Sequence, residues 1–193
     1  LYMFVDNPVA NAEALNNDLA RIHDWAENWL IKFSPSKTKT MVMTRKKKKR
    51  SFPTLKMNDT PLEEVTVHKH LGIHFTKSLS WNEHLDTVIT KANQSLNILC
   101  ALRHKLDRYT LETLYFSYVR SKLEYACITW DNCTRQYKDL LEGVQYRAAK
   151  IVSGGIHRTS HNVIYNELGW ETLEERRRKL RLKTFYKIVT HEA

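Results

Sequence analysis

From Ser80 the period of the apolar residues becomes helical and stays so to the end of this chain. Ahead of that point lie one helix-like stretch and several short alternating stretches separated by turn residues. Beyond it, apolar residues recur three and four apart to the end of the chain. A period of two belongs to half-buried strands and a period of 3.6 to amphipathic helices. The chain is therefore confined to an α+β class, a small antiparallel β hairpin or sheet with one helix, followed by an α-helical bundle. The boundary falls between residues 1–77 and 78–193.

Within the first part, Leu15, Leu19, Ile22, Trp25, Ala26, Trp29, Leu30 and Phe33 recur at helical spacing and predict a helix over residues 11–32. Pro8 and Asn11 suit its start and Pro35 its end. Residues 39–45 alternate as a strand. Residues 53–58 and 62–67 flank Asn58-Asp59, a turn dipeptide, and predict a hairpin. Residues 69–76 read as one further strand, with Leu71, Ile73 and Phe75 on one face and Gly72 allowing close backbone approach.

In the second part, Ser80 and Glu83 have the spacing of a capping box, followed by Leu85, Val88, Ile89, Ala92, Leu96, Leu99 and Leu102 on one helix face. Further helices are predicted over 110–129, over 134–152 with a stop at Gly154-Gly155, and over 160–168 with a stop at Gly169. Tyr137, Leu140, Leu141, Val144, Ala148 and Ile151 form the apolar face of the second of these. Thr172 and Glu175 open a last, basic helix with another capping box.

With 193 residues the chain has room for a real core, and its 42% hydrophobic and 27% charged content is that of a folded protein. The charge balance is less ordinary. Thirty-one Lys and Arg against 21 Asp and Glu give a net charge of +10, which favours polyanionic partners, nucleic acid first among them. Three cysteines, Cys100, Cys127 and Cys133, do not make a disulfide framework and suit a reducing compartment. No apolar run approaches the roughly 18 residues that span a bilayer, so no membrane partner is predicted. The chain opens on Leu1-Tyr2-Met3-Phe4-Val5, already strand-like, which predicts an internal piece of a longer protein.

Two basic clusters are the strongest intrinsic signal. Arg45, Lys46, Lys47, Lys48, Lys49 and Arg50 form an unbroken run that suits phosphate contact, nuclear import or simply a solvated hairpin loop. Arg176, Arg177, Arg178, Lys179, Arg181, Lys183 and Lys187 wrap the last helix and suit sequence-independent contact with a nucleic-acid backbone. Tyr115, Tyr118, Tyr125 and Trp130 are candidates for stacking on bases, or for the core.

Catalytic chemistry has little support within the chain. Aspartates stand isolated at positions 6, 18, 24, 59, 86, 107, 131 and 139, and no Asp-Asp pair occurs. Two-metal phosphoryl transfer requires carboxylates converging on ions about 4 Å apart. Cys127, Cys133, His157 and His161 have the residue types of a zinc site but too wide a cysteine spacing. His68, His70 and His74 alternate along the predicted strand and read as a solvated face. No metal ligand set is assigned, and there is no Gly-rich phosphate loop, nucleophile elbow or His-Glu-x-x-His helix.

Taken in order, several short motifs resemble those of reverse transcriptases from non-long-terminal-repeat retrotransposons of the Jockey-like type. They are Asn17-Asp18-Leu19 with Trp25, Ala26 and Trp29, then Ser34-Pro35-Ser36-Lys37-Thr38, then Thr44-Arg45-Lys46, then His70-Leu71-Gly72-Ile73, then Leu79 to His84. Leu123-Glu124-Tyr125 with Trp130, Gln145 to Ala149, and Leu168-Gly169-Trp170 follow. The resemblance implies the C-terminal end of a polymerase palm with its primer-grip hairpin (1–77) and most of a thumb (78–193). By that resemblance Lys37 is the candidate proton donor to the leaving pyrophosphate, a role that suits a mobile cation. His70, Leu71 and Gly72 match the primer grip, and Arg177, Arg178 and Arg181 would hold the duplex backbone. The implied partners are an RNA template and a DNA primer.

Two departures from the family pattern are plain. His70 stands where a tyrosine is usual, and the family's aromatic-Ala-Asp-Asp turn is absent from the chain. Its place would be just upstream of Leu1. Mg2+ would then serve the intact polymerase, bound by residues beyond this fragment, which alone is not expected to polymerise. The resemblance implies an intracellular protein, nuclear at some stage. A non-catalytic basic module binding RNA or DNA is the alternative reading, and a protein-interaction bundle a third.

Overall fold

The computed structural model describes residues 7–44, 52–57, 60–155 and 159–190. Packing divides the chain into two units, Leu1–Ser80 and Trp81–Ala193. The fold is mixed α+β, with the strands in the first unit and most of the helix in the second.

In the first unit, helix α1 spans Pro8–Asn28. Asn7 caps it, its Oδ1 accepting from the N–H groups of Val9 at 3.1 Å and Ala10 at 3.4 Å, while Pro8 occupies a first-turn position that needs no donor. The helix ends a turn earlier than the apolar pattern predicts. Leu30 adopts φ 56°, its N–H donates to the Glu27 carbonyl, and the Ile31 N–H reaches back to the Ala26 carbonyl at 2.8 Å. That pair of bonds is a Schellman closure, with leucine where glycine is favoured.

Only the narrow stripe of Ala12, Leu19 and Ala26 is buried. Leu19 packs with Met57, Leu62 and Leu55. Trp25, Trp29, Leu30 and Phe33, all read from sequence as helix-face residues, are exposed, because strands of two to four residues cannot cover so wide a face.

The strands form three two-stranded pairs among the described residues. β1 (Lys39–Thr40) runs parallel to β4 (Glu63–Glu64), and β2 (Lys56–Met57) pairs antiparallel with β3 (Thr60–Pro61). The segment read from sequence as a single strand over 69–76 is instead a hairpin. β5 (Val67–His70) pairs antiparallel with β6 (Ile73–Thr76), His70 opposite Ile73. Leu71 and Gly72 are its two-residue loop, with φ 46° and 84°. Positive φ at both positions is what a right-twisted two-residue hairpin requires. The turn also redistributes the histidines. His68 lies opposite Phe75, and His74 lies opposite Lys69, so His74 falls on the other face from His68 and His70.

In the second unit, α2 (Asn82–Leu102) buries Leu85, Ala92, Leu96 and Leu99. The Ser80–Glu83 capping box does not form. The cap is Trp81, and the Ser80 N–H donates instead to Thr76 Oγ1 at 2.9 Å. The single helix predicted over 110–129 is broken into α3 (Arg108–Leu114), a π-helical segment (Tyr115–Arg120), α4 (Ser121–Glu124) and α5 (Cys127–Trp130).

The sequence explains the π segment. Leu111, Tyr115, Val119, Leu123 and Cys127 are all buried, a strict spacing of four. Four residues of α-helix overshoot a full turn by about 40°, so such a row drifts off the core. The wider π turn cancels part of that drift. After Glu124 the chain turns through Ala126 at φ 48°, and the Trp130 Nε1–H donates to the Tyr125 carbonyl at 3.1 Å.

α6 (Arg135–Ser153) stops at Gly154, φ 69°, where the sequence predicts a stop. It buries Leu141, Val144 and Ala148 but leaves Leu140 47% exposed. α7 (His161–Leu168) closes on Gly169 at φ 67°. α8 (Leu173–Val189) starts with the predicted capping box, Thr172 and Glu175 bonding each other's backbone N–H at 3.1 Å.

Candidate nucleic-acid interface

Lys37 sits in the turn between α1 and β1, exposed. Ser34 organises that turn. Its carbonyl accepts from the N–H groups of Lys37 and Thr38, both at 3.1 Å, and from Thr38 Oγ1 at 3.0 Å. The Arg45–Arg50 run lies outside the described residues. His70, Leu71 and Gly72 form the tip of the β5–β6 hairpin, all exposed, Leu71 to 76%. A branched apolar side chain held at positive φ and presented to solvent is an uncommon choice, and such local strain concentrates at functional positions.

The basic helix α8 does not present its cations uniformly, and here the sequence reading is corrected. Arg177 is 2% exposed. Its Nε donates to Asp131 Oδ1 at 3.0 Å, and its guanidinium lies 6.0 Å from the Trp130 ring centroid. A guanidinium so enclosed cannot reach a phosphate. It holds α8 to the turn after α5. Asp131, itself 5% exposed, also forms ion pairs with Arg181 Nη1 at 2.8 Å and Lys138 Nζ at 3.9 Å. Arg181 keeps half its side chain exposed while tethered this way. Arg178 is exposed. Arg176 forms a forked pair with Glu124, which holds the Arg176 guanidinium above its ordinary range.

Of the candidate stacking aromatics, Tyr115 and Trp130 are fully buried, whereas Tyr118 and Tyr125 are 61% and 53% exposed. Burial also pushes the Tyr115 hydroxyl well above its usual value, so it is a neutral donor, to Gln145 Oε1 at 2.6 Å.

Two of the later motifs prove to be one structural latch. Gln145 of α6 donates to the Glu171 carbonyl at 2.9 Å, and Trp170 stacks on Tyr115 with centroids 4.3 Å apart while its Nε1–H donates to Glu112 at 2.6 Å. Glu142 completes the latch, accepting from the Tyr165 hydroxyl at 2.8 Å and the Leu173 N–H at 2.9 Å. Burial raises the Glu142 carboxyl despite these donors. Glu142 and Asp131 are the anionic anchors that sequence reasoning missed. Their only signal was a lone carboxylate beside apolar helix residues.

The thiols of Cys127 and Cys133 are pushed up by burial, and His157 of the considered zinc set lies outside the described residues. Among the described residues no group of three or more His, Cys, Asp or Glu side chains converges as a metal site, and no helix is long and apolar enough to cross a membrane.

A basic α+β chain with a strained, exposed hairpin tip and a latched helical bundle is the setting in which the motifs fall, and comparison with known proteins assigns their class: the chain is similar to RNA-directed DNA polymerases of non-long-terminal-repeat elements. It is 21% identical over 146 residues, 74% of its length, to the probable RNA-directed DNA polymerase from transposon X-element of Drosophila melanogaster. It is 22% identical over 85% of its length to the probable enzyme from transposon BS of the same species. It is 24% identical over 76% to the RNA-directed DNA polymerase from mobile element jockey of Drosophila funebris. The chain spans 16–18% of the length of these relatives. No family profile and no solved structure matches it.

Proposed function

We propose that this chain is the part of a retrotransposon RNA-directed DNA polymerase that grips the template–primer duplex, residues 1–77 as the end of the palm and 78–193 as the thumb. The observation that carries the reading is the similarity to three such polymerases over 74–85% of the chain.

The parts act through ordinary chemistry. The Leu71-Gly72 tip brings backbone to the primer end, where the missing Cβ of Gly72 allows the closest approach and its φ of 84° disfavours any replacement. Arg178 and the exposed edge of Arg181 meet phosphates of the duplex, joined by the Arg45–Arg50 run. Arg177 acts one step back, as the fastening of α8. Lys37, exposed on a well-bonded turn, donates a proton to departing pyrophosphate. The described residues offer no carboxylate set for Mg2+. The ion's ligands in the intact polymerase are assigned to the family's Asp-Asp turn, which this sequence lacks. The implied compartment is intracellular, with access to nuclear DNA.

Two measurements test the proposal. This chain should bind an RNA–DNA duplex with affinity that falls steeply with salt, and Arg178→Gln should lower the log–log salt slope by about 1. A longer polypeptide that includes the Asp-Asp turn should extend a primer, and Gly72→Val should cut that extension at least tenfold. Duplex binding without extension by the longer polypeptide would leave the non-catalytic module as the function. No duplex binding at low salt would remove both.

A further inference from the structure

In the second half of α8 all the large apolar side chains but Ile188, which is 59% exposed on the inward side, lie on the wrong side for a bundle helix. Leu173 and Arg177, both buried, and Thr184, half-buried, mark the inward face. Leu182, Phe185, Tyr186 and Val189 stand at i, i+3, i+4 and i+7, which places them together on the side turned away from that face. They are 60%, 65%, 61% and 59% exposed. Four large side chains exposed to this degree present roughly 400 Å² of mainly apolar surface, as much as the largest patch on a typical monomer. A row of exposed lysines, Lys179, Lys183 and Lys187, runs beside the stripe at intervals of four. Lys179 is committed to Glu171, but among the described residues Lys183 and Lys187 have no ion-pair partner.

We propose that this stripe is a docking surface for an acidic amphipathic helix of a protein partner, whose apolar residues cover Leu182, Phe185, Tyr186 and Val189 and whose carboxylates pair with Lys183 and Lys187. The spacing of the four anchors is that of helix-in-groove recognition, and the lysine row supplies the charge complement. Three other occupants fit less well. A second copy of this chain, paired antiparallel about Phe185 and Tyr186, sets Lys183 within about one turn of the second copy's Lys187. That juxtaposes like charges on a protein already at +10. A single nucleic-acid strand gains by stacking on rings, and Leu182 and Val189 have none. An anionic lipid surface would meet Glu174 and Glu175 in the first turn of the same helix.

The inference does not depend on polymerase activity, and its test uses the chain as it stands. The probe is a synthetic peptide helix with leucines three and four apart and glutamates elsewhere, followed by fluorescence anisotropy, with a lysine-for-glutamate peptide as control. Micromolar binding of the acidic peptide, at least tenfold weaker after Leu182→Ser with Phe185→Ser and several-fold weaker after Lys183→Gln with Lys187→Gln, is the expected result. Both variants alter exposed positions, and hydrogen exchange of the unaltered chain gives a readout independent of them. Peptide should slow exchange over residues 182–190. No binding, equal binding of the lysine peptide, or unchanged affinity in the stripe variant overturns the proposal. So does retention on phosphatidylserine-containing vesicles, or on a single-stranded oligonucleotide, that requires Phe185 while the acidic peptide does not bind.

Discussion

Replacing Asp131 with alanine should destabilise the helical unit far more than removing the arginine it faces. The Asp131 and Arg177 side chains are 6% and 2% exposed, and their bond is 3.0 Å. Arg177 Nη1 is buried without a hydrogen-bond acceptor even in the intact protein. Without Asp131 the guanidinium loses the acceptor of its Nε as well. Breaking a buried pair by deleting one partner costs about 3–5 kcal/mol. Arg177→Met keeps a stem of similar length against Trp130 and leaves Asp131 with Arg181 at 2.8 Å and Lys138 at 3.9 Å. Its cost should be nearer 1–2 kcal/mol, that of a charged hydrogen bond lost from a group that keeps other partners. Replacing both, Asp131→Leu with Arg177→Met, should fall closer to wild type than Asp131→Ala alone, since apolar residues often substitute for buried pairs at little cost. The assay is urea unfolding followed by tryptophan fluorescence, with Trp25 and Trp29 changed to Phe so that the signal comes from Trp81, Trp130 and Trp170. Midpoints at constant slope give the stability differences. A loss of under about 1 kcal/mol for Asp131→Ala, or an equal loss for Arg177→Met, would refute the reasoning.

Thr172→Ala should cost about 1 kcal/mol by opening the reciprocal cap of α8, read as a lower urea midpoint of the same unit. Glu142 carries its sign in the opposite direction from most carboxylates. Its folded value lies above the usual 4.5, so its contribution is complete below that pH and is lost as pH rises through the raised value. The stability of wild type relative to Glu142→Gln should therefore decline from acidic to neutral pH, and a rising difference would contradict the assignment. Leu71→Asn should stabilise the first unit by about 0.5–1 kcal/mol, because asparagine tolerates positive φ, while lowering primer extension by the longer polypeptide. A thiol reagent should label exposed Cys100 readily and buried Cys127 only on unfolding, as separate kinetic phases.

Several elements were legible in the sequence because a local rule and the tertiary structure agree. Gly154 and Gly169 end their helices as helix-stop glycines, and Thr172 with Glu175 caps α8. Where only one level spoke, the reading slipped. Ser80 and Glu83 have capping-box spacing, but Thr76 captured the Ser80 N–H first. Residues 69–76 alternate well enough for one strand, and nothing in leucine's preferences announces that Leu71 takes positive φ. Arg177 sits in a run of cations that looks solvated throughout. Only the three-dimensional approach of Asp131, 46 residues earlier, distinguishes it from Arg178. Within the candidate site, motif order singled out Lys37 and His70 to Gly72, but not the hairpin that turns at Leu71 and Gly72. Nor did it show the Glu142–Gln145–Trp170 latch, because apart from the Gln145–Glu142 bond its contacts join residues more than 20 apart in sequence.

The π-helical segment over Tyr115–Arg120 also bears on how the length of this chain can vary. A widened turn is one residue more than an α-helix needs to cover the same rise, and here the surplus falls on exposed Ser117 and Tyr118. Such a segment is a slack link. Loss of one residue there lets the helix tighten to ordinary α geometry while the buried positions on either side, Leu111 before and Leu123 and Cys127 after, stay within reach of the core. The same deletion in α6 would rotate every later core residue of that helix by about 100°. Length variation among the polymerases that this chain resembles should therefore accumulate at the segment where the helix is already overfull.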